Sequence, residues 1–382
     1  MRVTRQFKEF FESEKAGGLI LISCTLFSLL IANSFLGVDY QSFWHTPFAG
    51  NTMEHWINDG LMTIFFLLIG LELEREIYRG ELSNIKDALL PIFAAIGGMM
   101  IPAGIYLLFN YGTATQSGAG IPMATDIAFA LGVLSLLGKK VPLSLKVFLT
   151  ALAVIDDLGA ILVIAFFYTK TLLLTNLFIA IAIFVFLIIL NRMKVRSLIP
   201  YLIGGVAMWY FMLNSGIHAT ITGVLLAFAI PFGNGDKNST SYVLLHFLHK
   251  PVNFIILPIF ALANTAIILS PNIAETLSQH YSLGIALGLI VGKPLGIFLI
   301  SYLAVAFGLC KLPKDLNWKS ILGVGFLGGI GFTMSIFITL LAFDDQTTIN
   351  NAKFVILLAS LVAGIIGYFS LKLILKKKSK KD

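Results

Sequence analysis

The chain has 382 residues, of which 57% are apolar and only 12% are charged, and its formal net charge is +7. Soluble proteins carry about a quarter charged residues, so this composition excludes a soluble enzyme or a soluble binding domain. Apolar runs of bilayer-spanning length recur along the sequence, whereas the alternating pattern of an outer-membrane barrel is missing, and together these observations predict an all-α polytopic membrane protein.

Twelve transmembrane helices are predicted in chain order. They lie near residues 17–36, 58–72, 89–109, 119–138, 143–168, 173–190, 199–213, 217–232, 251–270, 282–306, 320–341 and 353–374. No small-residue cleavage pattern ends the first apolar run, so we expect this span to be retained. Residues 1–382 are therefore predicted to form a single transmembrane domain. It has an amphipathic amino-terminal segment at 1–16, a loop at 37–57 and a basic tail at 375–382.

The basic residues predict the orientation of these spans. If the amino terminus is cytoplasmic, 24 of the 27 basic residues fall on the cytoplasmic side or in the two cytoplasmic termini. Only Lys170 and Lys353 fall on the periplasmic side, while Lys293 falls within a span. Basic residues are retained on the cytoplasmic side of membrane proteins, so this distribution supports the twelve-span topology. It also explains the positive net charge without any nucleic-acid partner.

Four ionisable residues remain near the middle of predicted spans: Asp126, Asp156, Asp157 and Lys293. Each isolated charge at a helix centre costs about 2.5 to 3.5 kcal/mol on the insertion scale, or roughly 10 to 14 kcal/mol for four. A structural ion pair between helices is one explanation. Three acids and one base do not balance, however, so the surplus carboxylates need protons or a foreign cation, and this favours ion transport.

The positions of these residues predict that they meet at one depth. Asp126 lies about 14 residues before the cytoplasmic turn near residue 140 and Asp156 about 16 after it, or roughly 20 to 24 Å of helix on either side. Lys293 lies about 11 residues from each end of its span. We therefore expect all four charges to converge on one cavity.

Two spans carry residues that interrupt a helix. In the fourth span Pro122 and Thr125 precede Asp126, a pattern that starts a helix rather than continuing one. In the eleventh span glycines occupy positions 323, 325, 328, 329 and 331, although glycine also serves close helix packing. Spans 4 and 11 are the middle members of spans 3–5 and 10–12, which predicts an inverted-topology repeat with interrupted helices crossing at mid-membrane.

Different roles follow for the four charges. Half-helix ends carry partial charges, so Asp126 is placed to balance amino ends and Lys293 to balance carboxyl ends. Asp156 and Asp157, on the unbroken fifth helix, are left as carriers, and adjacent carboxylates titrate as a coupled unit. Protons and Na+ would compete for the same oxygens, and a site that faces either side in turn would exchange one for the other.

Several stretches closely resemble the bacterial NhaA-type Na+/H+ antiporters: residues 65–76, 122–138, 149–169, 215–227, 291–298 and 323–338. The resemblance implies a twelve-helix inner-membrane protein that exports Na+ or Li+ and admits more protons in return, without a resident cofactor. Inverted repeats with interrupted helices are already known for this family, so that feature is not an independent prediction. By position, the resemblance makes Asp157 the principal cation ligand and Asp156 its proton-carrying neighbour paired with Lys293. Thr125 and Asp126 belong to the interrupted-helix assembly.

The resemblance also implies a pH response at the cytoplasmic funnel. Glu72 and Glu76 match acidic residues implicated there, and His218 matches a histidine linked to the same response, although a packing role for His218 is equally open. His246 and His249 are further candidates, but Leu245 stands where the family carries an acid, which puts the pH set-point in question. The loop 37–57 resembles the family's periplasmic hairpin and homodimer contact.

Three other functions are alternatives to antiport. An intramembrane aspartyl protease also places aspartates on neighbouring spans, but its GxGD pattern is absent here. A Na+-coupled solute symporter of similar fold is the closer alternative, and it predicts Na+-dependent uptake of an organic substrate. A channel is disfavoured because the charges cluster rather than line a continuous polar path.

Overall fold

The structure is a computed structural model that describes residues 5–168, 172–269 and 272–378. Residues 1–4, Lys170 and the last four residues of the basic tail, 379–382, lie outside this description. The described chain is built almost entirely of α-helices, with a two-stranded hairpin as its sheet in this part of the chain.

In chain order the first nine helices are α1 (Arg5–Ala32), α2 (Gly37–Trp44), α3 (Met53–Trp56), α4 (Met62–Arg79), α5 (Ile85–Asn110), α6 (Ile127–Ser135), α7 (Leu143–Phe167), α8 (Leu174–Arg192) and α9 (Ile199–Leu213). They are followed by α10 (Ile221–Ala229), α11 (Thr240–Pro251), α12 (Leu257–Asn264), α13 (Ile273–Ser278), α14 (His280–Leu287), α15 (Lys293–Ala306), α16 (Trp318–Gly328), α17 (Phe332–Ala342) and α18 (Gln346–Lys378). Single π turns at Ile57–Leu61, Val252–Ile256 and Gly288–Gly292 join α3 to α4, α11 to α12 and α14 to α15. Short 3₁₀ helices occupy Glu81–Ser83, Gln116–Met123 and Gly138–Lys140.

Within the described ranges, eight helical segments are long and apolar enough to cross a bilayer, or ten if each of two bent helix pairs counts as one crossing. The all-α polytopic architecture is thus confirmed. The predicted seventh and eighth spans correspond to α9, with 15 residues, and α10, with nine, and both are shorter than a full crossing. The count of twelve stays a prediction.

Several helices extend beyond the apolar runs that predicted them. The ninth span, expected from residue 251, begins at Thr240 and ends at Asn264, and the Ser239 hydroxyl caps its start by accepting the Tyr242 N–H at 3.3 Å. The twelfth span likewise begins at Gln346 rather than at residue 353. Hydropathy marks only the apolar part of a helix, so the polar ends were not predicted.

The loop predicted at 37–57 contains secondary structure that hydropathy did not indicate. Helix α2 follows α1 across a bend of 120°. Strands β1 (Pro47–Phe48) and β2 (Asn51–Thr52) then pair antiparallel, with Gly50 in the left-handed region at the turn. The indole N–H of Trp56 donates to the carbonyl of Phe48 at 2.8 Å and fastens this hairpin to α3.

Contacts divide the chain into two compact units, which we describe separately. The first unit comprises residues 1–41, 84–160 and 264–382, and the second comprises 42–83 and 161–263. In the first, α5 and α15 approach so closely that a Cβ at Gly296 would overlap the carbonyl group of Gly97. In the second, α4 and α10 meet through Gly70 and Gly223, where an added Cβ would overlap Ala227 and the backbone of α4. Glycine therefore sets the helix spacing in both units, as is usual for membrane helices.

The first-unit contact gives a stability prediction. We expect Gly296→Ala to destabilise the protein by about 1 to 3 kcal/mol, because the added methyl group forces the backbones of α5 and α15 apart. Gly104→Ala, in the partner helix α5, is the control, since nothing lies within 4 Å of its added Cβ. The measurement is the apparent melting temperature of detergent-purified protein. Equal values for the two variants would show that this close approach does not limit stability.

Candidate ion site and its supporting helices

The fourth predicted span is interrupted immediately before its acidic residue. The 3₁₀ helix Gln116–Met123 ends, the backbone becomes extended from Ala124 to Asp126, and α6 begins at Ile127. Asp126 is the amino-terminal cap of α6, because its Oδ1 accepts the N–H of Phe129 at 2.9 Å. A short helix thus starts here as the sequence predicts, and its capping residue is Asp126 itself, while Pro122 lies in the preceding 3₁₀ helix.

The eleventh predicted span is interrupted among its glycines. Helix α16 ends at Gly328, α17 begins at Phe332, and the two pieces are bent by 49°. The N–H of Asp126 donates to the carbonyl of Ile330 at 2.7 Å, and Asp126 Oδ2 accepts the N–H and the hydroxyl of Thr333 at 3.1 and 2.5 Å. One buried carboxylate therefore lies at the amino ends of both half-helices, where the helix dipole favours negative charge.

The opposite, carboxyl ends of the interrupted helices meet other groups. The ammonium of Lys293 donates to the carbonyl of Met123, the last residue of the 3₁₀ helix. The hydroxyl of Thr125 lies 2.8 Å from the carbonyl of Gly328, the last residue of α16. A buried cation and a hydroxyl donor thus face backbone carbonyls that would otherwise have no helical partner.

Lys293 also forms a buried ion pair. Its Nζ lies 2.7 Å from Oδ2 of Asp156, and both side chains are fully buried. The same carboxylate oxygen lies 2.8 Å from the Thr125 hydroxyl, while Oδ1 of Asp156 has no hydrogen-bond partner among the described residues. The π turn Gly288–Gly292 directly precedes Lys293, and such turns are frequent at functional sites.

Asp157 follows on the uninterrupted helix α7 and is 1% exposed. Consecutive residues of an α-helix project about 100° apart, so the Asp157 side chain leaves α7 at roughly a right angle to that of Asp156. The first unit therefore buries three carboxylates, Asp126, Asp156 and Asp157, together with one ammonium near the interruptions. Carboxylate oxygens at such a site suit hard cations or protons.

The pH-response candidates lie in the second unit. The Nε2 atom of His218 lies 2.9 Å from the carbonyl oxygen of Tyr168, which fits a role at a helix end. His246 is exposed on α11 and stacks on Tyr242 with ring centroids 4.4 Å apart. The other three residues of this set, Glu72, Glu76 and His249, are half-buried. Leu245, in place of the family's acid, is buried at 4% exposure.

Sequence reasoning missed two buried ionisable residues. Glu74 is 4% exposed in α4, accepts the Ser241 hydroxyl at 3.2 Å and lines a cavity of about 560 Å³ in the second unit. The spacing in the sequence could have indicated this difference: Glu74 lies two residues from both Glu72 and Glu76, so its side chain projects from the other side of α4. Lys353 is 3% exposed in α18, and its ammonium donates to Asn264 Oδ1 at 3.2 Å. It was missed because the twelfth span was expected to begin at that residue.

Comparisons with known proteins agree over nearly the whole chain. Residues 8–371 match the family model described as Na+/H+ antiporter 1. A protein named Na+/H+ antiporter NhaA from Flavobacterium psychrophilum is 78% identical over 376 residues, 98% of each chain. Na+/H+ antiporter NhaA 1 from Flavobacterium johnsoniae is 65% identical over 375 residues, again 98% of each chain. The NhaA of Cytophaga hutchinsonii is 62% identical over 377 residues, 99% of this chain and 97% of its own.

Proposed function

The chain belongs to the Na+/H+ antiporter 1 family and is a multi-pass bacterial Na+/H+ antiporter of the NhaA type, and from this premise we propose how its residues perform the exchange. Asp156 and Asp157 form the binding site, for which Na+ and protons compete. The observation that carries this proposal is the burial of both carboxylates beside a single ammonium, that of Lys293. The alternative of Na+-coupled solute symport finds no support among these relatives.

The two aspartates divide the work. Asp157 is the principal ligand for Na+, and Li+ competes with Na+ because it is also a hard cation that prefers oxygen ligands. Asp156 is either protonated or paired with Lys293. In the pair, the distance of 2.7 Å between Lys293 Nζ and Asp156 Oδ2 leaves no room for an intervening group. Buried carboxylates are costly when charged and uncompensated, so the release of a cation is followed by proton uptake.

Transport proceeds by alternating access of this one site to the two sides of the membrane. Thr125, Asp126 and Lys293 compensate the charges of the interrupted-helix ends and keep the crossing assembled. More than one proton enters for each Na+ exported, so the exchange is electrogenic. Na+, Li+ and H+ are substrates, and the protein itself needs no cofactor.

The setting of the antiporter follows from its charges and from the likeness to its family. The protein lies in the bacterial inner membrane with both termini cytoplasmic, since basic residues are concentrated on that side. The hairpin within residues 37–57 contributes to a homodimer. Glu72, Glu76, His218, His246 and His249 adjust activity to pH from the second unit.

Competition predicts a pH-dependent affinity for Na+. In proteoliposomes with an imposed ΔpH, the apparent affinity for Na+ should fall by about tenfold for each unit of decreasing pH where one proton is displaced per ion. Fluorescence dequenching of a ΔpH-sensitive dye on addition of Na+ or Li+ measures it, with choline chloride as the control salt. An apparent affinity that stays constant from pH 6 to pH 9 would contradict competition at a common site.

A further inference from the structure

A serine on α18 contacts the second helix interruption. Ser360 is 3% exposed, and its hydroxyl oxygen accepts the backbone N–H groups of Gly331 and Phe332 at 3.2 and 3.1 Å. These are the cap and the first residue of α17. The next N–H along the chain, that of Thr333, donates to Asp126. Three consecutive N–H groups at this helix start are therefore bonded by two side chains from other helices.

Helix α17 has no side-chain cap of its own, because its cap residue is Gly331. The first N–H groups of a helix have no partner within it, and a buried position offers no water to replace one. Asp126 supplies the negative charge at this end, whereas Ser360 accepts two hydrogen bonds without adding a second charge.

The path of α18 explains how so short a side chain reaches the interruption. An added Cβ at Gly329 would lie 3.3 Å from Ala363 Cβ, and one at Gly364 would lie 3.4 Å from Ile330 Cδ1. One at Gly367 would lie 2.6 Å from Leu327 Cδ2. Small residues on α18 thus bring its backbone against residues 327–332, and Ser360 lies one helical turn before Ala363 and Gly364 on the same face.

We propose that Ser360 is a positioning residue for the exchange reaction. Its hydroxyl fixes the start of α17 so that Asp126 reaches both interrupted helices, and Thr125 and Lys293 in turn hold Asp156. Ser360 acts through α17 and touches neither ion. This inference rests on the proposed function of the two interrupted helices, and it adds α18 to the helices that support the ion site.

The test compares Ser360→Ala with Ser301→Ala in proteoliposomes. Ser301 is a matched control because it is fully buried on α15 and its hydroxyl has no hydrogen-bond partner within the described residues. We expect Ser360→Ala to raise the apparent KM for Na+ by up to about thirtyfold, the effect of losing two hydrogen bonds of ordinary strength, and to shift the pH of half-maximal exchange. Ser301→Ala should change neither quantity, and Ser360→Thr, which keeps the acceptor, should restore both.

If Ser360→Ala does not fold, Ser360→Cys gives the same comparison, since a thiol has nearly the same shape but is a weak acceptor. Values of KM and pH profile equal to those of Ser301→Ala would overturn the positioning role. The proposed function is tested separately, by measuring competition between Na+ and protons in the wild-type protein. Failure of the Ser360 proposal can therefore be distinguished from failure of the proposed function.

Discussion

Asp157→Asn is expected to abolish Na+- and Li+-driven dissipation of a ΔpH, while the purified protein remains folded. The carboxylate is 1% exposed, so an amide of the same shape fits the site but offers the cation no negative charge. The helix that carries it, α7, is uninterrupted, and removing a buried charge from its middle relieves a desolvation cost. Loss of transport should therefore occur without loss of the apparent melting temperature.

An exposed acid provides the control for this substitution. Asp87 lies in the first turn of α5 and is exposed, so Asp87→Asn should leave exchange unchanged. Calorimetric titration with Na+ measures binding directly and should show no heat of binding for Asp157→Asn. Normal exchange by this variant would show that the ion binds elsewhere.

Lys293→Ala is expected to destabilise the protein strongly and to shift its pH dependence. The substitution leaves the Asp156 carboxylate buried without its cation and the Met123 carbonyl without its donor. Removing one partner of a buried ion pair costs about 3 to 5 kcal/mol. The apparent melting temperature should therefore fall by roughly 5 to 10 °C.

The partner substitution tests whether this loss comes from the uncompensated charge. Lys293→Ala/Asp156→Asn removes both members of the buried ion pair, so the double variant should recover most of the stability that Lys293→Ala loses. Asp156→Asn alone, which leaves the ammonium uncompensated, completes the cycle. If Lys293→Ala lost Na+ binding at full stability, the scaffold role of this lysine would be wrong.

The interruptions and the charges near them were predictable because their signals are local. Pro122, Thr125 and Asp126 predict a helix start by rules that apply to a few neighbouring residues, and α6 begins directly after Asp126, which caps it. The cluster of glycines likewise marks the break between α16 and α17. Proline, capping residues and glycine deep in an apolar run therefore predict a helix break at their own position.

The partners of these residues could not be predicted in the same way. Ser360 and Gly331 are 29 residues apart, and no local pattern indicates that they meet. Glu74 and Ser241 are 167 residues apart, and hydropathy placed the first near a loop and the second outside any span. Contacts of this kind depend on how helices pack, which the sequence encodes only through the sum of many weak interactions.

The bonding of Asp126 has a consequence for the motion of the transporter. Its two oxygens hold α6 and α17 at the same time, and its N–H and the Thr125 hydroxyl bond to the carbonyls of Ile330 and Gly328 in the other interrupted span. Sliding one of these helices past the other would break these bonds together. We therefore expect α6 and α17 to move as a single body when the site turns from one side of the membrane to the other.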